Sequence, residues 1–245
     1  MSYYRQGPRR PGGPGGVALG VPQVTPMVKK LIIANAAIWV LQATVDLIPA
    51  IGYPGLATWL GAWPSRIASG WIWQVATYQF LHGGPFHLLF NMLYLWMFGS
   101  ELERAWGQRS FLNYYLVCGT GAGVIIAIAG ILAGSGAYTI GASGAIYGLI
   151  LAFGIVFAER TVLFMLIFPI KARTMALILV GISFFYSLST PGDGVSHLAH
   201  LGGALVGFLY LKRAWRFGEF VRQMRWKWAR RRFKVMSRDD DDWVH

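Results

Sequence analysis

The chain has 245 residues, 55% of them hydrophobic and 13% charged, about half the charged share of an ordinary soluble domain. Its mean hydropathy is +0.47, and apolar stretches recur along most of its length, which excludes a signal peptide followed by a soluble domain. The formal charge of +12 would suit nucleic acid, but the basic residues gather at the two ends and in short links, the pattern of membrane topology.

The opening, MSYYRQGPRRPGGPGG, is rich in Gly, Pro and Arg with little to bury. It reads as a disordered basic arm over residues 1–26. A first apolar span follows, Lys30 to Ile48. The stretch from Pro49 to Gln79 is apolar but broken by Pro49, Pro54 and Pro64, and carries Trp59, Trp63, Trp71 and Trp73. It suits an interfacial loop with short helices at headgroup depth, where indoles prefer to sit. Further spans are expected at Phe86–Leu102, Phe111–Ala133, Ala142–Ala158, Thr174–Leu188 and His197–Leu211. Cys118, the single cysteine, lies inside the third and reads as packing; it excludes an intramolecular disulfide and a cysteine metal cluster. The segment Thr161–Ile170 is short, contains Pro169 and reads as a loop or interfacial piece. The tail, 213–245, mixes Arg and Lys with Trp and Phe before Asp239–Asp242. It reads as an amphipathic segment on an anionic cytoplasmic leaflet.

The expected fold is therefore an all-α membrane bundle of six transmembrane helices over residues 27–212, with both termini cytoplasmic. Every lysine and arginine except Arg66 then falls on the cytoplasmic side, as the positive-inside rule asks.

Polar groups in a membrane core are expensive, and each is a functional candidate. In HGGPFHLLFN, His87 and Asn91 are four apart and share one helix face. In GASGAIYG, Ser143 and Tyr147 are four apart, and Gly144 and Gly148 permit close helix approach. Ser143 sits at the mouth of its helix, where free backbone N–H groups favour an oxyanion. In SHLAHLGGALVG, His200 lies near the face of Gly203 and Gly207, a second close-packing pair. Together these supply a nucleophile (Ser143), a base (His200) and side-chain donors for an oxyanion (His87, Asn91). Asp46, Glu101, Glu103 and Glu159 lie near span ends and Asp193 in a loop, so a Ser-His dyad is the natural assignment, with Tyr147 packing on the imidazole. The expected cavity opens away from the basic tails, lined by His82, His87, Asn91, Ser196 and His197. No H-E-x-x-H zinc motif occurs, and no metal or other cofactor is expected.

These motifs resemble the rhomboid family of intramembrane serine proteases, of the six-helix bacterial type. The family pattern H-x-x-x-N is matched by His87 and Asn91, G-x-S-G by Gly141, Ala142, Ser143 and Gly144, and A-H-x-x-G-x-x-x-G by Ala199, His200, Gly203 and Gly207. The resemblance implies that Ser143 forms an acyl-enzyme with His200 as base, and that His87, Asn91 and the Ser143 N–H hold the oxyanion. It implies a membrane-embedded first loop, whose Trp-Arg signature departs here to Trp73-Gln74. It implies a mobile cap at Ser189–Ser196, and a bacterial inner-membrane location. It also implies transmembrane protein substrates. From the composition of the tail and the placement of the charges, anionic lipids are the expected partners of the basic tail, and no nucleic acid is expected. The alternative is a catalytically inactive rhomboid-like protein that binds or chaperones transmembrane segments.

Overall fold

A computed structural model describes residues 23–48, 55–164, 167–189 and 196–213. The N-terminal arm, Pro49–Pro54, the cap over 190–195 and the basic tail beyond Arg213 lie outside the described residues.

Helix α1 (Pro26–Asp46) starts at a proline, whose missing N–H costs nothing in a first turn. The remaining first-turn donors find Glu103 from further along the chain. Met27 and Val28 donate their N–H groups to its carboxylate at 2.9–3.1 Å, and the Thr25 hydroxyl donates at 2.5 Å. A buried carboxylate thus faces the positive end of the helix.

The proline-broken stretch folds into α2 (Ala57–Leu60), α3 (Pro64–Ala68) and α4 (Gln74–Thr77), then a 3-10 turn at Tyr78–Phe80. Gln74 ties it together. Its buried side chain accepts the Trp63 N–H at 3.2 Å and donates to the carbonyls of Thr58 and Trp59 at 3.3 and 3.2 Å. The Arg66 guanidinium lies 5.1 Å from the ring centres of both Trp63 and Trp71 and donates to the Thr58 carbonyl. Gln74, the position where the chain departs from the family arginine, is thus the loop's internal crosslink.

Helix α5 (Pro85–Tyr94), a π-helical turn (Leu95–Gly99) and α6 (Ser100–Trp106) follow without a break. Helix α7 (Gln108–Leu132) ends in a Schellman motif. Gly134 adopts φ +62°, its N–H donates to Ile131, and the Ser135 N–H donates back to Gly130 at 2.8 Å. The link that follows is stitched to the first loop. Ala62 and Thr139 exchange backbone hydrogen bonds of 2.9 and 3.1 Å, and Trp63 stacks on Tyr138 with ring centres 4.4 Å apart.

Helix α8 (Ser143–Val156) is buried on nearly every side and packs between α7 and α9 (Ala172–Ser189). Between α8 and α9, the segment Thr161–Ile170, expected as a loop or interfacial piece, forms an antiparallel strand pair, β1 (Thr161–Phe164) with β2 (Phe168–Lys171). Pro169 is compatible with it because a two-stranded hairpin has only edge strands. At its base Glu159 meets Lys171 and Arg173, each at 2.6 Å. The hydrogen bond from Lys171 foremost, then the Arg173 charge, holds the Glu159 carboxyl below the usual carboxylate range. Helix α10 spans 197–213.

The outward faces of these helices are apolar: Val40, Ile128, Leu177, Phe185 and Leu209 are all exposed. A surface of this kind suits lipid rather than water. Helices α1 and α7 are long and apolar enough to cross a bilayer, and α8 and α9 are shorter apolar helices.

Candidate active site

The sequence GASG sets the position of Ser143. Gly141 has φ +122°, and its N–H donates to the Tyr78 carbonyl at 3.0 Å, so the link turns sharply against the first loop. A Cβ at this position would lie 2.7 Å from His87 Nε2. Glycine is therefore required twice, for the backbone angle and for the approach of the imidazole. Ser143 is the first residue of α8, so its N–H is one of the donors that no carbonyl of its own helix takes.

Helices α8 and α10 touch backbone to backbone. A Cβ on Gly203 would lie 1.8 Å from the Gly144 carbonyl oxygen, and one on Gly207 3.2 Å from Gly148 Cα. Cys118 fills the space beneath Gly148 as packing. This crossing brings His200 to the Ser143 end of α8. His200 is buried, and its ring lies flat on Tyr147, with centres 4.1 Å apart and planes 5° apart.

A cavity of about 960 Å³ opens at this end of the molecule. Its wall includes His87, Asn91, Ser143, Tyr147, Ser196 and His200, together with Gly83–Phe86 and the link residues 137–140. Two expected lining residues are elsewhere. His82 is fully buried behind the wall, edge-on to His87 at 5.2 Å, because its N–H is drawn to the Gln42 side chain on α1. His197 stacks on Tyr186 instead, with ring centres 5.4 Å apart.

The hydrogen bonds fix what His87 can do. Its Nδ1 accepts the Gly83 N–H at 3.2 Å. An accepting nitrogen carries no proton, so the proton is on Nε2, the nitrogen that faces Gly141. His87 is a donor into the site. Asn91 donates one amide hydrogen to the His87 carbonyl at 2.8 Å and retains the other. The cavity wall thus carries a hydroxyl, two imidazoles and N–H donors from two elements, the kinds of group acyl transfer uses.

Sequence reasoning missed Ser183 on α9. It is 1% exposed, its hydroxyl donates to Tyr147 Oη at 2.9 Å, and its oxygen lies 3.2 Å from His200 Nδ1. A lone serine in an apolar helix ordinarily bonds its own backbone, as Ser187 does to the Phe184 carbonyl. Nothing in the α9 sequence separates the two.

A mostly helical, lipid-faced fold with a serine and histidines gathered in one cavity defines a class of membrane-embedded helical proteins. The rhomboid domain model matches residues 69–217, more than half of the chain, and the chain belongs to the rhomboid family. It is 33% identical over 160 residues to Rhomboid protease GluP of Bacillus subtilis, covering 63% of this chain and 29% of that protein. It is 26% identical over 192 residues to Rhomboid protease GlpG of Pectobacterium atrosepticum, covering 75% of this chain and 61% of that protein. With RHOMBOID-like protein 4 of Arabidopsis thaliana it shares 32% identity over 137 residues, 56% of this chain and 32% of that protein. The chain therefore matches only part of the length of each of these relatives. Rhomboid proteins are integral to membranes, and the apolar helices of this chain agree with that location.

Proposed function

We propose that the protein is an intramembrane serine endopeptidase acting on transmembrane segments of other membrane proteins. The observation that carries the reading is the convergence of Ser143, His200, His87 and Asn91 on one cavity, with His87 held as a donor by Gly83. Two of the relatives it resembles are named as proteases, which supports the same conclusion.

Ser143 Oγ attacks the scissile carbonyl while His200 Nε2 takes its proton. The developing oxyanion is held by His87 Nε2–H, the free Asn91 amide hydrogen and the Ser143 N–H. The C–N bond breaks as the imidazolium passes the proton to the leaving amine. Water, activated by the same imidazole, then hydrolyses the acyl-enzyme and restores Ser143. The substrate must unwind locally, since a helical peptide bond is shielded by its own hydrogen bonds.

In this reading α1, α5–α6, α7, α8, α9 and α10 are six spans over residues 27–212, and the first loop is embedded in the membrane. The basic arm and tail lie in the cytoplasm of a bacterial inner membrane, the tail against anionic lipid.

The test is cleavage of a model transmembrane substrate in liposomes by wild type and by Ser143→Ala. Wild-type cleavage that disappears in a folded Ser143→Ala variant is the expected result. Equal cleavage by both would refute Ser143 as nucleophile. No cleavage by either across several substrates, with Ser143 inert to a fluorophosphonate, would favour an inactive rhomboid-like protein that binds transmembrane segments.

A further inference from the structure

We propose that Ser183 is a positioning residue that selects the productive tautomer of His200. The inference rests on the reading of Ser143 and His200 as nucleophile and base.

A serine hydroxyl has one hydrogen to give and two lone pairs to receive. In this relay Ser183 gives its hydrogen to Tyr147 Oη, 2.9 Å away, and accepts from His200 Nδ1, 3.2 Å away. Nδ1 then carries the proton, and Nε2 keeps the lone pair that a general base needs. The relay runs His200 Nδ1–H to Ser183 Oγ–H to Tyr147 Oη. It does in neutral form what a carboxylate does in a Ser-His-Asp triad, where the third member fixes tautomer and orientation. Burial of Ser183 keeps water from competing for either bond.

Tyr147 thereby acts twice on the imidazole, with its ring face directly and with its hydroxyl through Ser183. Three elements meet at the ring: Tyr147 from α8, Ser183 from α9, and His197 from α10 itself, perpendicular at 5.7 Å and backed by Tyr186. The Ser183 oxygen, 3.2 Å from Nδ1, is placed to accept from the imidazolium formed during acylation.

The test joins 15N NMR of His200 in the full-length protein to the pH profile of kcat/KM. The variants are Ser183→Ala and Ser183→Thr, and His200→Gln assigns the resonances. In wild type Nδ1 is expected to be protonated and Nε2 bare; Ser183→Ala moves the ring toward mixed tautomers. Removing the acceptor lowers the plateau roughly 10-fold, the worth of one such hydrogen bond. An imidazolium donates more strongly than a neutral ring, so the acid limb moves down by about half to one pH unit. Thr restores tautomer, plateau and limb. A Ser183→Ala enzyme with an unchanged tautomer and acid limb would overturn the inference while leaving Ser143 and His200 intact. So would wild type with the proton on Nε2, which requires the relay to run the other way. A wild type that cleaves nothing and does not react with a fluorophosphonate overturns the proteolytic reading, and the role of Ser183 falls with it.

Discussion

His87 shows how one backbone hydrogen bond can assign a role. The Gly83 N–H occupies Nδ1, which leaves Nε2–H as the donor into the cavity. If that donor serves the oxyanion, it acts more on the transition state than on the bound substrate. His87→Ala is expected to lower kcat about 100- to 1,000-fold with a small change in KM, the usual cost of losing one oxyanion donor. Steady-state kinetics on the model substrate reads this directly, and a change in KM alone would place His87 in binding instead. The triplet of His87, Ser143 and His200 is legible as a candidate site from chain order and helical spacing, because histidines in apolar runs stand out and Ser143 is fenced by glycines at a helix start. Ser183 is not legible that way. Its hydroxyl resembles any serine in a helix until the packing of α9 on α8 delivers it to Nδ1. Glu103 was hidden for a related reason: its partners, Thr25, Met27 and Val28, lie more than seventy residues earlier.

At the scale of elements, the helix starts and stops follow local chemistry. Pro26 and Pro85 open helices, and Gly134 closes one. The β1–β2 hairpin escaped because its strands are four residues each, too short for alternation to show. The glycine pairs were legible as close-packing signals but not in their partners. Gly203 is pressed on the Gly144 carbonyl, whereas Gly181 on α9 has open space where a Cβ would sit. Gly203→Ala must push α8 and α10 apart, since backbone cannot yield as a side-chain tip can. It is expected to cost about 3 kcal/mol and to reduce activity by separating His200 from Ser143. Gly181→Ala is expected to leave stability unchanged or raise it by up to about 1 kcal/mol, the helix propensity difference. Thermal unfolding of both variants in the same detergent compares them, and equal melting temperatures would refute the backbone contact.

For the whole molecule, the apolar exterior and the charge distribution combine into a prediction of orientation. Helix α7 has 25 residues and is about 37 Å long at 1.5 Å per residue, enough to carry its ends to opposite faces of a bilayer. Its C-terminal half holds the first loop, since Cβ atoms on Gly123 and Gly130 would meet Val75 and Pro64 at 2.2 and 2.3 Å. The cavity wall includes the link just beyond that end, residues 137–140, so site and first loop share one face. Exposed Ser69 belongs to this face and exposed Ser110 to the other, beside Arg104 and Arg109. A cysteine-free background, Cys118→Ala, with Ser69→Cys or Ser110→Cys added, can be labelled in intact cells with a membrane-impermeant maleimide. Ser69→Cys is expected to react from outside, and Ser110→Cys only after permeabilisation, in line with the positive-inside rule. Labelling of both from the same side would mean that α7 does not cross. Reversal of the two would put the cavity on the cytoplasmic face, and substrate segments would then have to reach Ser143 from within the cell.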